Sequence, residues 1–135
     1  MLYAILCYDS EEAVGAWTAE QEAEVMGRLL AVQAGLAEQG RMGPVARLLP
    51  TTAATTVRKG QEPLVLDGPF AETKEQLLGF YLIDCASLEA ALQVAKDLAV
   101  ASGGGTGAYE VRPVLTFQPG DAPSSGGPLS TDKAG

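Results

Sequence analysis

The stretch Leu64-Val-Leu-Asp-Gly-Pro-Phe-Ala-Glu-Thr-Lys-Glu-Gln-Leu-Leu-Gly-Phe-Tyr-Leu-Ile-Asp-Cys85 decides the fold. Its first three residues finish a strand, and Asp67-Gly68-Pro69 forces a turn. Residues 71–78 make a short helical or extended excursion, and residues 79–85 form a second, buried strand. A polar insert is thus pinned between two core elements.

Upstream, residues 55–58 and 63–66 read as a hairpin around Lys59-Gly60, and residues 41–49 as a weaker strand broken by Gly43 and Pro44. Residues 2–8 are a continuous apolar run, consistent with a strand buried on both faces and ended by Asp9 and Ser10. Between these strands, Thr18 followed by Gln21 fits a capping box, after which Val25, Leu29, Val32 and Leu36 recur at helical spacing. A helix is expected over residues 19–39, with Gly40 as its C-terminal cap. Gly27 and Gly35 inside it each cost ~1 kcal/mol against alanine, which suggests close packing on the sheet.

Downstream, Ser87 caps a second helix whose Leu88, Ala91, Leu92, Ala95 and Leu98 form one stripe, ended by Gly103-Gly-Gly105. Residues 109–117 make the last strand. Residues 119–135 lack periodicity and are rich in Gly, Pro and Ser, so they read as a disordered tail beyond a domain of residues 1–118.

Two strand-helix-strand units sharing one antiparallel sheet give an α+β, ferredoxin-like βαββαβ layout with an added hairpin. Both helices then lie on one face of the sheet. Residues 2–8 and 80–83 are nevertheless apolar at both parities, where a half-solvated strand should alternate with polar residues. The simplest cover for the second face is the same sheet of another copy, giving a symmetric homodimer with a barrel-like interior.

The 64–85 block, with Thr55-Thr56-Val57-Arg58 before it and Tyr109-Glu-Val-Arg-Pro113 after it, closely resembles the DGPF group of the YCII-related family. The group's name repeats Asp67, Gly68, Pro69 and Phe70, and the resemblance spans roughly residues 1–118. It implies a dimeric α+β barrel, in a group whose members mostly lack an assigned activity. An aspartate and histidine pair has been proposed as the active site of related YCII proteins. This chain contains no histidine, so only Asp67 matches that pair. Related dimeric barrel families include cofactor-free enzymes, and genes of the group often accompany those for extracytoplasmic-function sigma factors.

Charge narrows the function classes. The chain carries 17 acidic and 9 basic side chains, a net charge of -8, which opposes binding to nucleic acid or to an anionic membrane surface. Residues 1–40 hold seven carboxylates against Arg28 alone, so an acidic face on the first helix could meet a basic partner. No apolar run approaches the ~20 residues of a membrane span, and no basic leader precedes the first strand, so a cytoplasmic location is expected.

Cys7 and Cys85 are too few and too far apart for a zinc module, and no metal or cofactor is implied. Each lies in an apolar run and reads as a small buried hydrophobe, a reactive thiol being the alternative. Their strands should be antiparallel neighbours with the two cysteines at opposite ends, beyond the ~7 Å reach of a disulfide. Without histidine, any catalysis must run on carboxylates, Lys74, tyrosines or arginines.

Asp67 stands where a strand leaves the sheet. It serves either as a turn residue that accepts backbone N–H bonds, or as a catalytic or ligand-binding carboxylate. Thr73, Lys74 and Glu75 follow closely enough to line a pocket mouth, or to form a solvated charge run. Tyr81 and Tyr3 are core tyrosines by strand position, with Tyr81 also a ligand candidate. Arg112 either reaches solvent or pairs with Glu110 or Asp67, and it is also a ligand-binding candidate. The Gly103-Gly-Gly105 run follows a helix instead of opening one, so it is a cap and loop, not a phosphate cradle. Three functions are compatible with these residues. The first is a dimeric small-molecule-binding or accessory protein with a pocket near Asp67. The second is a cofactor-free enzyme using Asp67 as acid or base, and the third is a regulatory partner in a sigma-factor system.

Overall fold

A computed structural model describes residues 1–103 and 105–121. In chain order the elements are β1 (Leu2–Asp9), α1 (Glu11–Gly15), α2 (Ala19–Glu38), β2 (Met42–Arg47), β3 (Thr55–Arg58), β4 (Leu64–Asp67), β5 (Gln76–Asp84), α3 (Leu88–Ser102) and β6 (Ala108–Pro113). Four strands form one antiparallel sheet in the order β2-β5-β1-β6, while β3 and β4 pair separately as a hairpin. This is the ferredoxin-like α+β layout, with the hairpin inserted between β2 and β5.

Local chemistry explains the element ends. The Thr18 hydroxyl accepts from Gln21 N at 3.1 Å and the Gln21 side chain accepts from Thr18 N at 2.9 Å, a complete capping box for α2. Ser87 caps α3 by accepting from Ala90 N at 3.2 Å. Ser10 does the same for α1 through Ala13 N at 3.1 Å, so the residues that end the first strand also start a one-turn helix. That helix was not expected from the sequence. β5 also begins three residues early, at Gln76, because Tyr8 and Asp9 extend β1 far enough to pair with Leu77 and Gln76 across a bulge. The last strand stops at Pro113, short of the expected residue 117. The tail expected at 119–135 lies outside the described residues from position 122 onward.

The core sits between the helices and one face of the sheet. Tyr3 and Ile5 of β1 and Tyr81 and Ile83 of β5 point the same way, with Tyr3 opposite Ile83 and Ile5 opposite Tyr81. Val25, Leu29 and Leu36 of α2 and Ala91, Val94 and Leu98 of α3 close over them. Ile5, Ile83 and Leu98 are fully buried, and truncating any one to alanine should cost ~2–5 kcal/mol. Cys7, near the C-terminal end of β1, pairs with Gly79, whereas Cys85 lies past the other end of that strand, where its N–H donates to Met1 O. Both cysteines are free thiols, placed at opposite ends as the antiparallel pairing requires.

The helical glycines correct one expectation. A Cβ placed at Gly27 or Gly35 meets no heavy atom within 4 Å, so neither glycine brings α2 close to the sheet. Close approach occurs instead between β2 and β5. A Cβ on Gly43 would stand 2.5 Å from Leu82 O, and one on Gly79 would run into Ala46 O.

Candidate functional site

The helices spread apart above the sheet and leave an open cleft of about 790 Å³. Met26, Leu29 and Leu30 from α2 and Leu92, Ala95 and Ala99 from α3 form its walls, with Trp17 and Val14 at one end. Cys7, Tyr81, Tyr109 and Val111 form its floor. Leu30 is 60% exposed and Leu92 41% exposed, so the cleft presents apolar surface to solvent.

Uncharged polar groups from five surrounding elements line this apolar space, among them Cys7 of β1, Tyr81 of β5, Tyr109 of β6, Gln33 of α2 and Ser102 of α3. Gln33 stands close enough to Tyr81, and Ser102 and Cys7 close enough to Tyr109, to influence how readily the two phenols ionise. Burial raises the pKa of the Cys7 thiol, with Asp9 adding to the rise while Tyr109 and Arg47 oppose it. Burial likewise raises the pKa of both tyrosines, most strongly that of Tyr109. All three groups therefore keep their protons at neutral pH and act as neutral hydrogen-bond donors. Cys7 is not a ready nucleophile there, since a thiolate is the reactive form.

The end of the cleft beside β1 is tied down by carboxylates. Asp9 accepts from Thr106 Oγ1 at 2.9 Å and from Ser10 N at 2.7 Å, and Glu75 Oε2 accepts from Gly107 N at 2.9 Å. Gly107 has φ +86°, and a Cβ there would lie 2.7 Å from Tyr8 O, so only glycine fits this crossing. The loop from α3 to β6 is thereby held against the cleft wall.

The residues singled out in the sequence are dispersed. Tyr81 lines the cleft floor. Glu75 is exposed and clamps Gly107. Lys74 borders a separate, polar hollow with Thr73, Gln76, Ser10 and Glu11, in which the Glu11 carboxylate accepts from Thr51 N at 2.8 Å. Arg112 is exposed on edge strand β6 opposite Ala4 and makes no ion pair among the described residues. Asp67 is exposed at the end of β4 opposite Thr55, and it borders neither hollow.

The turn after Asp67 is held by other groups: Gly68 N donates to Ala54 O at 2.8 Å and Thr56 Oγ1 donates to Gly68 O at 2.8 Å. Gly68 itself has φ +97°, the left-handed geometry that glycine supplies in such a turn. Arg58 lies over the Phe70 ring at 5.2 Å, fastening the outgoing chain back to the hairpin.

The profile of the YCII-related domain matches residues 1–118, the whole of the sheet, helices and hairpin. The chain belongs to the YCII-related family. It is also 58% identical over 125 residues to an uncharacterized protein of Rhizobium meliloti (strain 1021), covering 92% of this chain and 100% of that protein. The cleft polar set was missed in the sequence, apart from Tyr81 and the reactive-thiol alternative for Cys7. In this YCII-related chain the signal available for the rest was Gln33, one polar residue beside the apolar stripe of α2. Among the described residues, no helix is long and apolar enough to cross a membrane.

Proposed function

We propose that this YCII-related chain is a dimeric small-molecule-binding protein of the DGPF group, and that its ligand sits in the cleft between the helices and the sheet. The observation that carries this reading is the convergence of Cys7, Tyr81, Tyr109, Gln33 and Ser102 on an apolar space of about 790 Å³. An apolar hollow of several hundred Å³ with a few convergent polar groups is the usual form of a small-molecule site. No observation within the protomer favours acid–base chemistry at Asp67 or a sigma-factor-linked role.

Dimerisation is supported by the sheet face away from the helices. Leu2, Ala4 and Leu6 of β1 and Phe80 and Leu82 of β5 are only half-buried there, with no helix over them. The hairpin adds exposed apolar residues, including Val57, Val65 and Phe70 at 59%, 63% and 72%. Pairing two copies through these faces would remove this surface from water and leave one cleft open on the outer side of each protomer.

Trp17 is the chain's single tryptophan and lies at the cleft end, so its emission reports directly on occupancy. Uncharged aromatic fragments should change that emission saturably and raise the melting temperature. Ala99→Phe, which fills the cleft from its α3 wall, should abolish both effects. Fragments that leave both readouts unchanged, or that act equally on Ala99→Phe, would refute cleft binding.

A further inference from the structure

The floor of the cleft has a defined chemical character beyond its size. Its polar groups, Cys7, Tyr81 and Tyr109, are uncharged, and each carries a hydrogen that it can donate. Charges near the cleft are already engaged or peripheral. Arg47 is paired with Glu22 at 2.9 Å, and the Asp9 carboxylate is bonded to Thr106 and Ser10, while Lys96 is exposed on α3. A charged ligand group on the floor would lose hydration without gaining an opposite charge.

Hydrogen-bonding capacity adds a second constraint. Tyr81 lines the cleft floor, and its phenol hydroxyl can turn its hydrogen toward the cleft. Ser102 donates its hydrogen to Ala99 O at 3.0 Å, within its own helix, which leaves its oxygen lone pairs at the cleft edge beside Tyr109. Tyr81 on β5 and the weaker Cys7 thiol on the adjacent β1 are thus two donors that the floor offers to a guest.

We infer that the cleft selects an uncharged, largely apolar ligand bearing a hydrogen-bond acceptor of the aryl-ketone type, with Tyr81 and Cys7 donating to that acceptor. This rests on the cleft-binding reading above. Apolar walls from α2 and α3 hold the ring system, and the polar floor orients the carbonyl. An aromatic hydrocarbon of the same shape would fill the cleft but leave the floor donors unpaired, and that difference sets the selectivity.

Equilibrium dialysis of the full chain with four matched probes tests the inference: 1-acetonaphthone, 1-ethylnaphthalene, 1-naphthoate and 1-naphthylmethylammonium. The ketone should bind at least ~10-fold more tightly than the hydrocarbon and both ions. Tyr81→Phe should erase the ketone's advantage while leaving hydrocarbon binding unchanged. If Tyr81→Phe does not fold, Cys7→Ala serves in its place, with a partial loss of the same advantage expected. Equal binding of ketone and hydrocarbon would overturn the acceptor recognition while cleft binding stands. Preference for either ion would overturn it as well. Binding of none of the four would remove the cleft reading along with this inference.

Discussion

The same substitution, glycine to alanine, should have opposite effects at two pairs of positions in this fold. Gly27 and Gly35 are interior to α2, and a Cβ at either meets nothing within 4 Å. Alanine is favoured over glycine by ~1 kcal/mol inside a helix, so Gly27→Ala and Gly35→Ala should each stabilise the protein by about that amount. The sites are two turns apart with no shared neighbour, so the double variant should gain ~2 kcal/mol. At Gly43 and Gly79 the new Cβ would collide with carbonyl oxygens of the facing strand, Leu82 O and Ala46 O. Those oxygens are backbone and cannot rotate aside, so β2 must shift off β5, at a cost of ~1–3 kcal/mol. Urea unfolding at one fixed protein concentration measures all four variants, since the apparent stability of the proposed dimer would depend on concentration. A destabilised Gly27→Ala would show that α2 packs closely there after all. A Gly79→Ala as stable as the parent would refute the close approach of β2 and β5.

Further outcomes follow from the cleft, the turn and the open sheet face. Cys7, Tyr81 and Tyr109 have folded-state pKa values raised above their ordinary 9.0, 10.0 and 10.0. Their stabilising contribution is full below those values and is lost as pH rises past them, because the unfolded chain ionises first. The urea midpoint should therefore fall progressively from about pH 9 upward, and Tyr109→Phe should fall less steeply; a flat profile to pH 11 would contradict the buried, protonated floor. Thr56→Val removes the bond to Gly68 O and should cost ~1 kcal/mol, whereas Asp67→Asn should change urea stability by less than ~0.5 kcal/mol; the reverse order would make Asp67 the residue that holds the turn. Leu82→Asp on the uncovered sheet face should halve the mass seen by light scattering, and a parent protein already at the mass of one chain would refute the dimer.

Much of the fold was legible because it is written in local patterns. The capping pair Thr18 and Gln21, the stripe of Val25, Leu29 and Leu36, and the Asp67-Gly68-Pro69 turn each specify an element without reference to the rest of the chain. Helix α1 was missed because five residues are too few to show a period, and its only marker, Ser10, had been read as a strand end. The early start of β5 was missed because it depends on its partner: Gln76 and Leu77 are strand residues only because the bulge lets Tyr8 and Asp9 reach them. The glycines of α2 misled for a similar reason. Their helical cost was visible, but which glycines sit against another backbone is a matter of sheet geometry, and that geometry selected Gly43 and Gly79.

The candidate site was less legible, because local sequence density and spatial convergence select different residues. Residues 67–75 are a run of turn-forming and charged groups. Within the protomer they divide between the hairpin end, the Lys74 hollow and the Glu75 clamp on Gly107. The polar groups of the cleft have the opposite arrangement: Cys7, Gln33, Tyr81, Ser102 and Tyr109 come from five different elements. Taken singly, each has an ordinary structural reading, as a core thiol, a helix-face amide or a strand tyrosine. Only the antiparallel order β5-β1-β6 sets Tyr109 opposite Cys7 and Tyr81 one same-face position further along β5, and only the placement of α2 and α3 on that face adds Gln33 and Ser102. In a ferredoxin-like sheet, the residues at matching parity on the three adjacent strands β5, β1 and β6 are therefore where a binding site is to be sought, ahead of the most charged loop.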